Sequence, residues 1–189
     1  MKFEELRGTV IMPELWDVLD HKGNKTGLTI ERGKPMMKGQ YHLGVQVWIV
    51  NGEGQYLAAK RTPHRNGLWH TVGGCVTTED NNNSLKAAIR EVREEIGVSL
   101  DANRGQLFTG YTIPHINDDG ASFWDVWVFQ QEVDISAAKL CPEETAEIKW
   151  AGKEQIIYMK KDGSFDYPYL DELFCFCEKL VIPQRWLRS

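Results

Sequence analysis

Several features that would define a protein class are scarce or missing in this chain of 189 residues. Its four cysteines have neither the paired spacing of a zinc site nor the pattern of a small secreted scaffold, so reduced thiols are expected. No apolar run approaches the ~20 residues of a membrane span, and the segment from Met1 to Glu5 is unlike a signal peptide. These absences predict a soluble, cytoplasmic protein with no membrane partner.

An excess of basic residues is also missing. The formal net charge is −5 and the pI is near 5.6, whereas a general nucleic-acid binder normally carries a basic stripe. No nucleic-acid partner is therefore expected, and any phosphate group must be bound by individual basic side chains.

No Pro/Ser-rich linker and no internal repeat divides the chain, and its length suits one sizeable core. A single domain over residues 1–189 is therefore predicted. Alternating or β-branched runs predict strands at 15–19, 44–50, 56–61, 107–113, 123–132 and 147–151, and helices are predicted at 84–96, 153–159 and 168–180. Mixed strands with a central and a late helix predict an α/β fold in which helices cover both faces of the sheet.

The segment from Arg90 to Val98 carries the strongest chemical signal. Successive helical residues are rotated by about 100°, so Glu91, Glu94 and Glu95 share an arc of about 100° on one side of the predicted helix. Three carboxylates within one turn repel each other, and a divalent cation would offset that repulsion. The alternative is an ordinary solvent-exposed acidic face.

The same helix has an apolar stripe and recognisable ends. Asn82, Asn83 or Ser84 can cap its start, and Gly97 suits the left-handed position after its end. The apolar residues gather beside the carboxylates and can anchor the helix to a core: Leu85, Ala88, Ile89, Val92 and Ile96.

Together with Gly73-Gly74, this segment resembles the Nudix box. The family pattern is Gly, five residues, Glu, seven residues, then Arg-Glu-apolar-any-Glu-Glu-any-Gly-apolar, and every specified position from Arg90 to Val98 matches. In the front half, Gly74 is followed after five residues by Asp80 where Glu is usual, and nine residues separate Asp80 from Arg90. Pairing Gly73 with Glu79 instead widens the second gap to ten. In either alignment, the loop at 77–83 is two or three residues longer than the pattern.

The resemblance extends over about residues 14 to 160. Residues 14–27 look like the hairpin that opens the Nudix branch related to isopentenyl diphosphate isomerase, and 45–50 and 57–61 continue the likeness. The family implies a Nudix-type α/β/α sandwich with a mixed sheet. Its parts here would be an N-terminal extension with a β-hairpin at 1–40, the box within 73–98, and a C-terminal helix and tail at 165–189.

The resemblance also implies a chemistry, the hydrolysis of a pyrophosphate bond with Mg²⁺, or Mn²⁺, as cofactor. Glu94 and Glu95 correspond to metal ligands, Glu91 either joins them or accepts the proton of the attacking water, and Arg90 orients a box glutamate. Outside the box, Glu144 is the preferred further ligand or base, and an exposed loop acid is its alternative.

The implied substrate is a small-molecule diphosphate, specifically a nucleoside diphosphate linked to another moiety. Arg61 and Gly74 are predicted to contact it, although an exposed strand-end arginine is the alternative for Arg61. Substrate selection is predicted near the turn between two later strands, which includes Tyr111, His115, Asp118, Asp119, Phe123, Trp124 and Asp125.

Two other functions compete with the hydrolase. An isopentenyl diphosphate isomerase would carry a cysteine before the glycines, whereas Cys75 follows them, and the Glu94-Glu95 pair departs from the isomerase version. A non-catalytic nucleotide-binding module would usually lose box carboxylates, and all three are retained on the helix. A homodimer is the default expectation for the oligomeric state.

Overall fold

The computed structural model of the chain describes residues 13–114, 121–167 and 169–185. These residues form three α-helices: α1 (Ser84–Ile96), α2 (Lys153–Lys161) and α3 (Leu170–Arg185). They also form strands β1 (Leu15–Leu19), β2 (Lys25–Glu31), β3 (Tyr41–Val50), β4 (Tyr56–Arg61), β5 (Trp69–His70), β6 (Val72–Cys75), β7 (Gly105–Ile113), β8 (Ala121–Gln130) and β9 (Thr145–Ala151).

All nine strands join one mixed sheet, in which β3 is central. Strand β3 pairs in parallel with β8 along its whole length, from Tyr41 opposite Ala121 to Val50 opposite Gln130. Its other edge pairs antiparallel with β1 at one end, β6 in the middle and β4 at the other end. The remaining pairings, β1 with β2, β4 with β5 and β9, and β7 with β8, are antiparallel.

Helices cover both faces of the sheet, as predicted. On one face, Trp48 and Val126 pack with Ile156 of α2 and Leu173 of α3 in a buried apolar cluster. On the other face, the apolar stripe of α1 packs against buried residues of β3, including Val45 and Ile49. The predicted α/β/α sandwich with a mixed sheet and a C-terminal helix is therefore confirmed. The β1–β2 hairpin forms at the predicted place.

Helix α1 has the predicted bounds because the residues that cap its start and its end are its immediate neighbours in sequence. The side chain of Asn83 accepts a hydrogen bond from the Lys86 amide (3.0 Å), which caps the first turn. Gly97, with φ of +70°, closes the last turn through a hydrogen bond from its amide to the Arg93 carbonyl (3.1 Å). Among the helices of the described residues, none combines the length and the apolar character that crossing a membrane requires.

The glycine pair lies in a strand that was not among the predicted elements. Gly73 and Gly74 belong to β6 and lie opposite Gln46 and Val45 of β3. A Cβ on Gly73 would lie 2.2 Å from the Val45 carbonyl oxygen, so only glycine permits this close approach of the two strands. The chain therefore runs from β6 of the sheet through the loop at 76–83 into the acidic helix.

Candidate functional site

The Glu91 carboxylate lies directly against the glycine strand. A Cβ on Gly74 would be 2.4 Å from the Glu91 Cδ atom, so the absent side chain of Gly74 leaves the space that Glu91 fills. Glu91 is only 8% exposed, and burial raises its pKa to about 7, although Arg90 opposes that shift. The predicted contact of Gly74 with substrate stays a prediction.

Glu95 lies one helical turn further along and is buried between two strands. Its Oε1 accepts a hydrogen bond from the Gly73 amide (3.3 Å), and its Oε2 accepts one from the Thr145 hydroxyl (3.2 Å). Burial raises the pKa of Glu95 to about 8, and the nearby charges of Glu144 and Glu91 act in the same direction. Helix α1 and strands β6 and β9 thus meet at this carboxylate.

Glu94 is the exposed member of the three, with 54% of its side chain accessible. Its Oε2 accepts a hydrogen bond from Nη1 of Arg90 (2.9 Å), which also donates to Oε1 of Glu91 (2.8 Å). Arg90 therefore lies between two of the box carboxylates and fixes the orientation of Glu91. The orienting role that the family resemblance implied for Arg90 stays a prediction.

Asp80 is the acid that completes the front half of the box. It is 1% exposed, and its carboxylate accepts hydrogen bonds from Nε and Nη2 of Arg90 at 2.8–3.2 Å. The backbone amide and hydroxyl of Thr77 donate to the same carboxylate at 3.0 Å each. Burial acts to raise the pKa of Asp80, but these hydrogen bonds hold it below its ordinary value. Glu79 is exposed, so the structure favours the alignment that pairs Gly74 with Asp80.

The additional length of the box loop is accommodated between Asp80 and the helix cap. Asn81 and Asn82 have φ of +55° and +58°, the left-handed conformation that asparagine tolerates better than most residues. The Asn81 side chain accepts a hydrogen bond from Lys25 of β2 (3.0 Å), which ties the loop to the N-terminal hairpin. Asn81 and Asn82 therefore connect Asp80 to the cap of α1.

Glu144 and Arg61 both border the turn at 62–67, because Arg61 of β4 pairs with Thr145 of β9. The Glu144 carboxylate pairs with Nη2 of Arg65 (2.6 Å) and contributes to the raised pKa of Glu95, so it borders the box carboxylates from outside the box. Arg61, at the end of β4, lines a cavity of about 380 Å³ together with Gly73. This cavity therefore begins beside the glycine strand and extends along the sheet.

Glu14 was not among the predicted site residues. It lines a second cavity of about 340 Å³ together with Arg90 and Glu94, and its Oε2 is 2.7 Å from Nη1 of Arg32. Its negative charge also contributes to the raised pKa of Glu91. The sequence offers no local signal for this proximity, because the hairpin reaches the helix through long-range contacts, the pairing of β1 with β3 and the hydrogen bond from Lys25 to Asn81.

The donor chemistry suits a hard divalent cation, because Glu91, Glu94, Glu95 and Glu144 all supply carboxylate oxygens. The space left by Gly74 admits one of these carboxylates to the glycine strand. Within residues 13–114, 121–167 and 169–185, however, no three acidic, histidine or cysteine side chains form a preformed metal site. Of the predicted substrate-selecting residues, His115, Asp118 and Asp119 lie outside the described residues.

The NUDIX domain profile matches residues 40–173 of the chain. The chain is 31% identical over 164 residues to an uncharacterised Nudix hydrolase of Listeria innocua, a match that covers 85% of this chain and 94% of the relative. It is 24% identical over 143 residues to an isopentenyl-diphosphate Delta-isomerase of Citrobacter koseri, covering 74% of this chain and 78% of that one. In fold it is similar to DR0079 of Deinococcus radiodurans, with a TM-score of 0.65, 21% identity, and coverage of 87% of this chain and 99% of that chain.

Proposed function

The chain belongs to the Nudix hydrolase family, and from this premise we propose that it hydrolyses the pyrophosphate bond of a nucleoside diphosphate linked to another moiety. The cofactor proposed is Mg²⁺, with Mn²⁺ as a substitute. The observation that carries the proposal is the position of Glu91 and Glu95, two carboxylates buried against the glycine strand beside a cavity large enough for a small ligand.

Glu94 and Glu95 are proposed as the metal ligands, with Glu91 and Glu144 beside them. Glu91 and Glu95 are buried acids with raised pKa values, so they need a nearby positive charge if both are to stay ionised. Arg90 has no further N–H group to offer, because all five already donate hydrogen bonds. When bound, a divalent cation supplies charge neutralisation on the phosphate oxygens and lowers the pKa of a coordinated water. Glu94 is exposed enough for its carboxylate to turn away from Arg90.

Other side chains of the site are proposed to position the carboxylates, accept a proton and bind phosphate. Arg90 holds Glu91 in one orientation, and Asp80 holds Arg90, so the carboxylate that ligates or accepts a proton is positioned in advance. Glu144 is the second candidate for the proton acceptor, because it borders Glu95 and is partly exposed. Arg61 is proposed to bind a substrate phosphate at the cavity wall.

The isomerase remains the second candidate, and the likeness to the Citrobacter koseri enzyme favours keeping it. Burial raises the pKa of the Cys75 thiol to about 12, and this thiol follows the glycine pair rather than preceding it. A thiol with so high a pKa stays protonated near neutral pH and cannot take a proton from the substrate, which supports hydrolysis over isomerisation.

The test is a panel of diphosphate compounds incubated with Mg²⁺ and wild-type protein, read out as released phosphate or nucleoside monophosphate. Glu94→Gln and Glu95→Gln should each reduce kcat by at least ~100-fold, while Glu172→Gln, an exposed acid on α3, should leave it unchanged. Unchanged hydrolysis in both box variants would refute the proposed site. Conversion of isopentenyl diphosphate to its isomer without phosphate release would favour the isomerase instead.

A further inference from the structure

The cavity beside Gly73 has two chemically different ends. At the end near β6 lie the cationic side chain of Arg61 and the backbone of Gly73, whose amide holds Glu95. At the other end, the aromatic rings of Tyr111, Trp124 and Tyr169 line the wall. A ligand with a phosphate group at one end and a flat ring at the other matches this polarity.

Trp124 is fixed in place before any ligand arrives. A Cβ on Gly44 would lie 2.8 Å from the indole ring, so the ring packs closely over the glycine of the neighbouring strand β3. The indole Nε1 donates a hydrogen bond to the Ser122 hydroxyl (2.8 Å), which sets the orientation of the ring within its plane. An immobilised aromatic ring stacks on a ligand ring at little cost in side-chain entropy.

Tyr111 and Tyr169 form a second aromatic surface. Their ring centroids are 5.3 Å apart with planes inclined by 56°, and the Tyr111 hydroxyl donates to Oε1 of Gln46 (3.0 Å) on the sheet. The aromatic end therefore also carries a side-chain amide. A hydrocarbon chain would remove water from this amide without offering a hydrogen bond in its place, so the cavity is better suited to a polar ring.

Asp166 adds a carboxylate to the wall of the same cavity. Its backbone is held by a hydrogen bond from its amide to the Trp69 carbonyl (3.0 Å), while its side chain is exposed. Its charge lies close enough to Tyr111 to contribute, after burial and Tyr169, to raising the pKa of Tyr111 to about 12. A carboxylate accepts hydrogen bonds and repels phosphates, so among the groups that line the cavity Asp166 suits a nucleobase and Arg61 suits the phosphates.

We propose that this cavity is a nucleobase site in which Asp166 selects bases carrying an amino group over uracil, while Trp124 and Tyr169 hold the ring. Guanine, adenine and cytosine each present an N–H₂ group to a carboxylate. The single N3–H donor of uracil lies between two carbonyl oxygens, which repel a carboxylate. This inference rests on the proposed function, because it assigns the group attached to the diphosphate.

Calorimetric binding of GMP, AMP, CMP and UMP to the Glu94→Gln variant tests the inference without requiring hydrolysis. The three amino-bearing nucleotides should bind at least ~10-fold more tightly than UMP, since the loss of one hydrogen bond to a charged group has about this effect. Adding Asp166→Asn should tighten UMP binding and reduce the discrimination to less than ~3-fold, because an amide also donates to a carbonyl oxygen. Asp171→Asn, an exposed acid in the first turn of α3, is the matched control and should leave the order unchanged.

Equal binding of all four nucleotides, no binding of any of them at millimolar concentration, or discrimination that survives Asp166→Asn would each overturn the inference. Trp124→Phe, which retains a ring, should weaken all four nucleotides by a similar factor. Hydrolysis of the four corresponding nucleoside diphosphate glucoses by wild-type protein separates the two proposals. Equal kcat/KM for all four supports the proposed function and overturns this inference. Selective binding of the nucleotides without hydrolysis of any diphosphate supports this inference and overturns the proposed function.

Discussion

Asp80 and Arg90 form an ion pair at the base of the site, with Nη2 of Arg90 2.8 Å from Oδ2 of Asp80. The Asp80 side chain is 1% exposed, and the same guanidinium also donates to Glu91, Glu94 and the Cys75 carbonyl. A carboxylate buried this deeply depends on its cation, because few waters can replace that partner. The pair therefore connects the loop before α1 to the orientation of the box glutamates.

Replacement of Asp80 by Asn should destabilise the protein by about 3 kcal/mol, because it leaves a partly buried guanidinium without its main counter-charge. It should also lower kcat, since Arg90 would hold Glu91 less firmly. Urea denaturation gives the free energy of unfolding, and steady-state hydrolysis gives kcat. Glu79→Gln, the exposed acid beside it, should change stability by less than ~0.5 kcal/mol. If Glu79→Gln were the more damaging change, the alignment of the box with Asp80 would be wrong.

Replacement of Gly74 by Ala should lower activity by at least ~10-fold, because the new Cβ would displace the carboxylate of Glu91. The cost in stability should be about 1–3 kcal/mol, typical of overpacking a buried position. The control is Gly152→Ala, where a Cβ meets nothing within 4 Å and φ is −70°. Wild-type kcat in Gly74→Ala would contradict the position assigned to Glu91.

Magnesium should raise the melting temperature of the wild-type protein by binding the native state. A stabilisation of about 1 kcal/mol corresponds to a shift of about 2–4 °C for a protein of this size. The shift should disappear on chelation with EDTA and should shrink in Glu94→Gln and Glu95→Gln, but not in Glu172→Gln. A melting temperature that responds to neither Mg²⁺ nor Mn²⁺ would argue against a metal at these carboxylates.

Acid should destabilise the protein partly through His70. Burial lowers the pKa of this histidine from its ordinary 6.5 to about 3, and its Nε2 has no hydrogen-bond partner among the described residues. Below pH 6.5 the unfolded chain binds a proton at His70 and the folded state does not. The free energy of unfolding therefore decreases as the pH falls toward about 3. The contribution is on the order of 1 kcal/mol per pH unit between about pH 6 and 4.

Unfolding in urea at a series of pH values checks this expectation. His70→Gln should show a shallower loss of stability on acidification than the wild type, whatever its stability at neutral pH. His21→Gln, in the exposed turn of the β1–β2 hairpin, should follow the wild-type profile. Parallel profiles for His70→Gln and the wild type would mean that folding does not lower the pKa of His70.

Elements governed by neighbouring residues were predictable from the sequence. Helix α1 begins and ends at the predicted residues because Asn83, Gly97 and the apolar stripe all act within a few positions of the backbone they control. Strands β1 and β4 also have the predicted bounds. Strands β3, β7 and β9 begin before the predicted residues, because pairing with neighbours extends strands beyond their apolar runs.

Only the tertiary structure decided how the site is assembled. Glu95 receives a hydrogen bond from Thr145, 50 positions away in sequence, and Glu14 reaches Arg90 and Glu94 through the hairpin. The tertiary structure also determines that Asp80, and not Glu79, pairs with Arg90, because the burial of each acid depends on how the whole loop packs.

The sequence by itself determined the family, the acidic helix and the general architecture of the fold, since periodicity and box spacing are local properties of the chain. The tertiary structure determined which carboxylates are buried, which glycine admits Glu91, and which aromatic residues share a cavity with Arg61. Desolvation and contact arise between segments that are distant in sequence, so no local pattern encodes them.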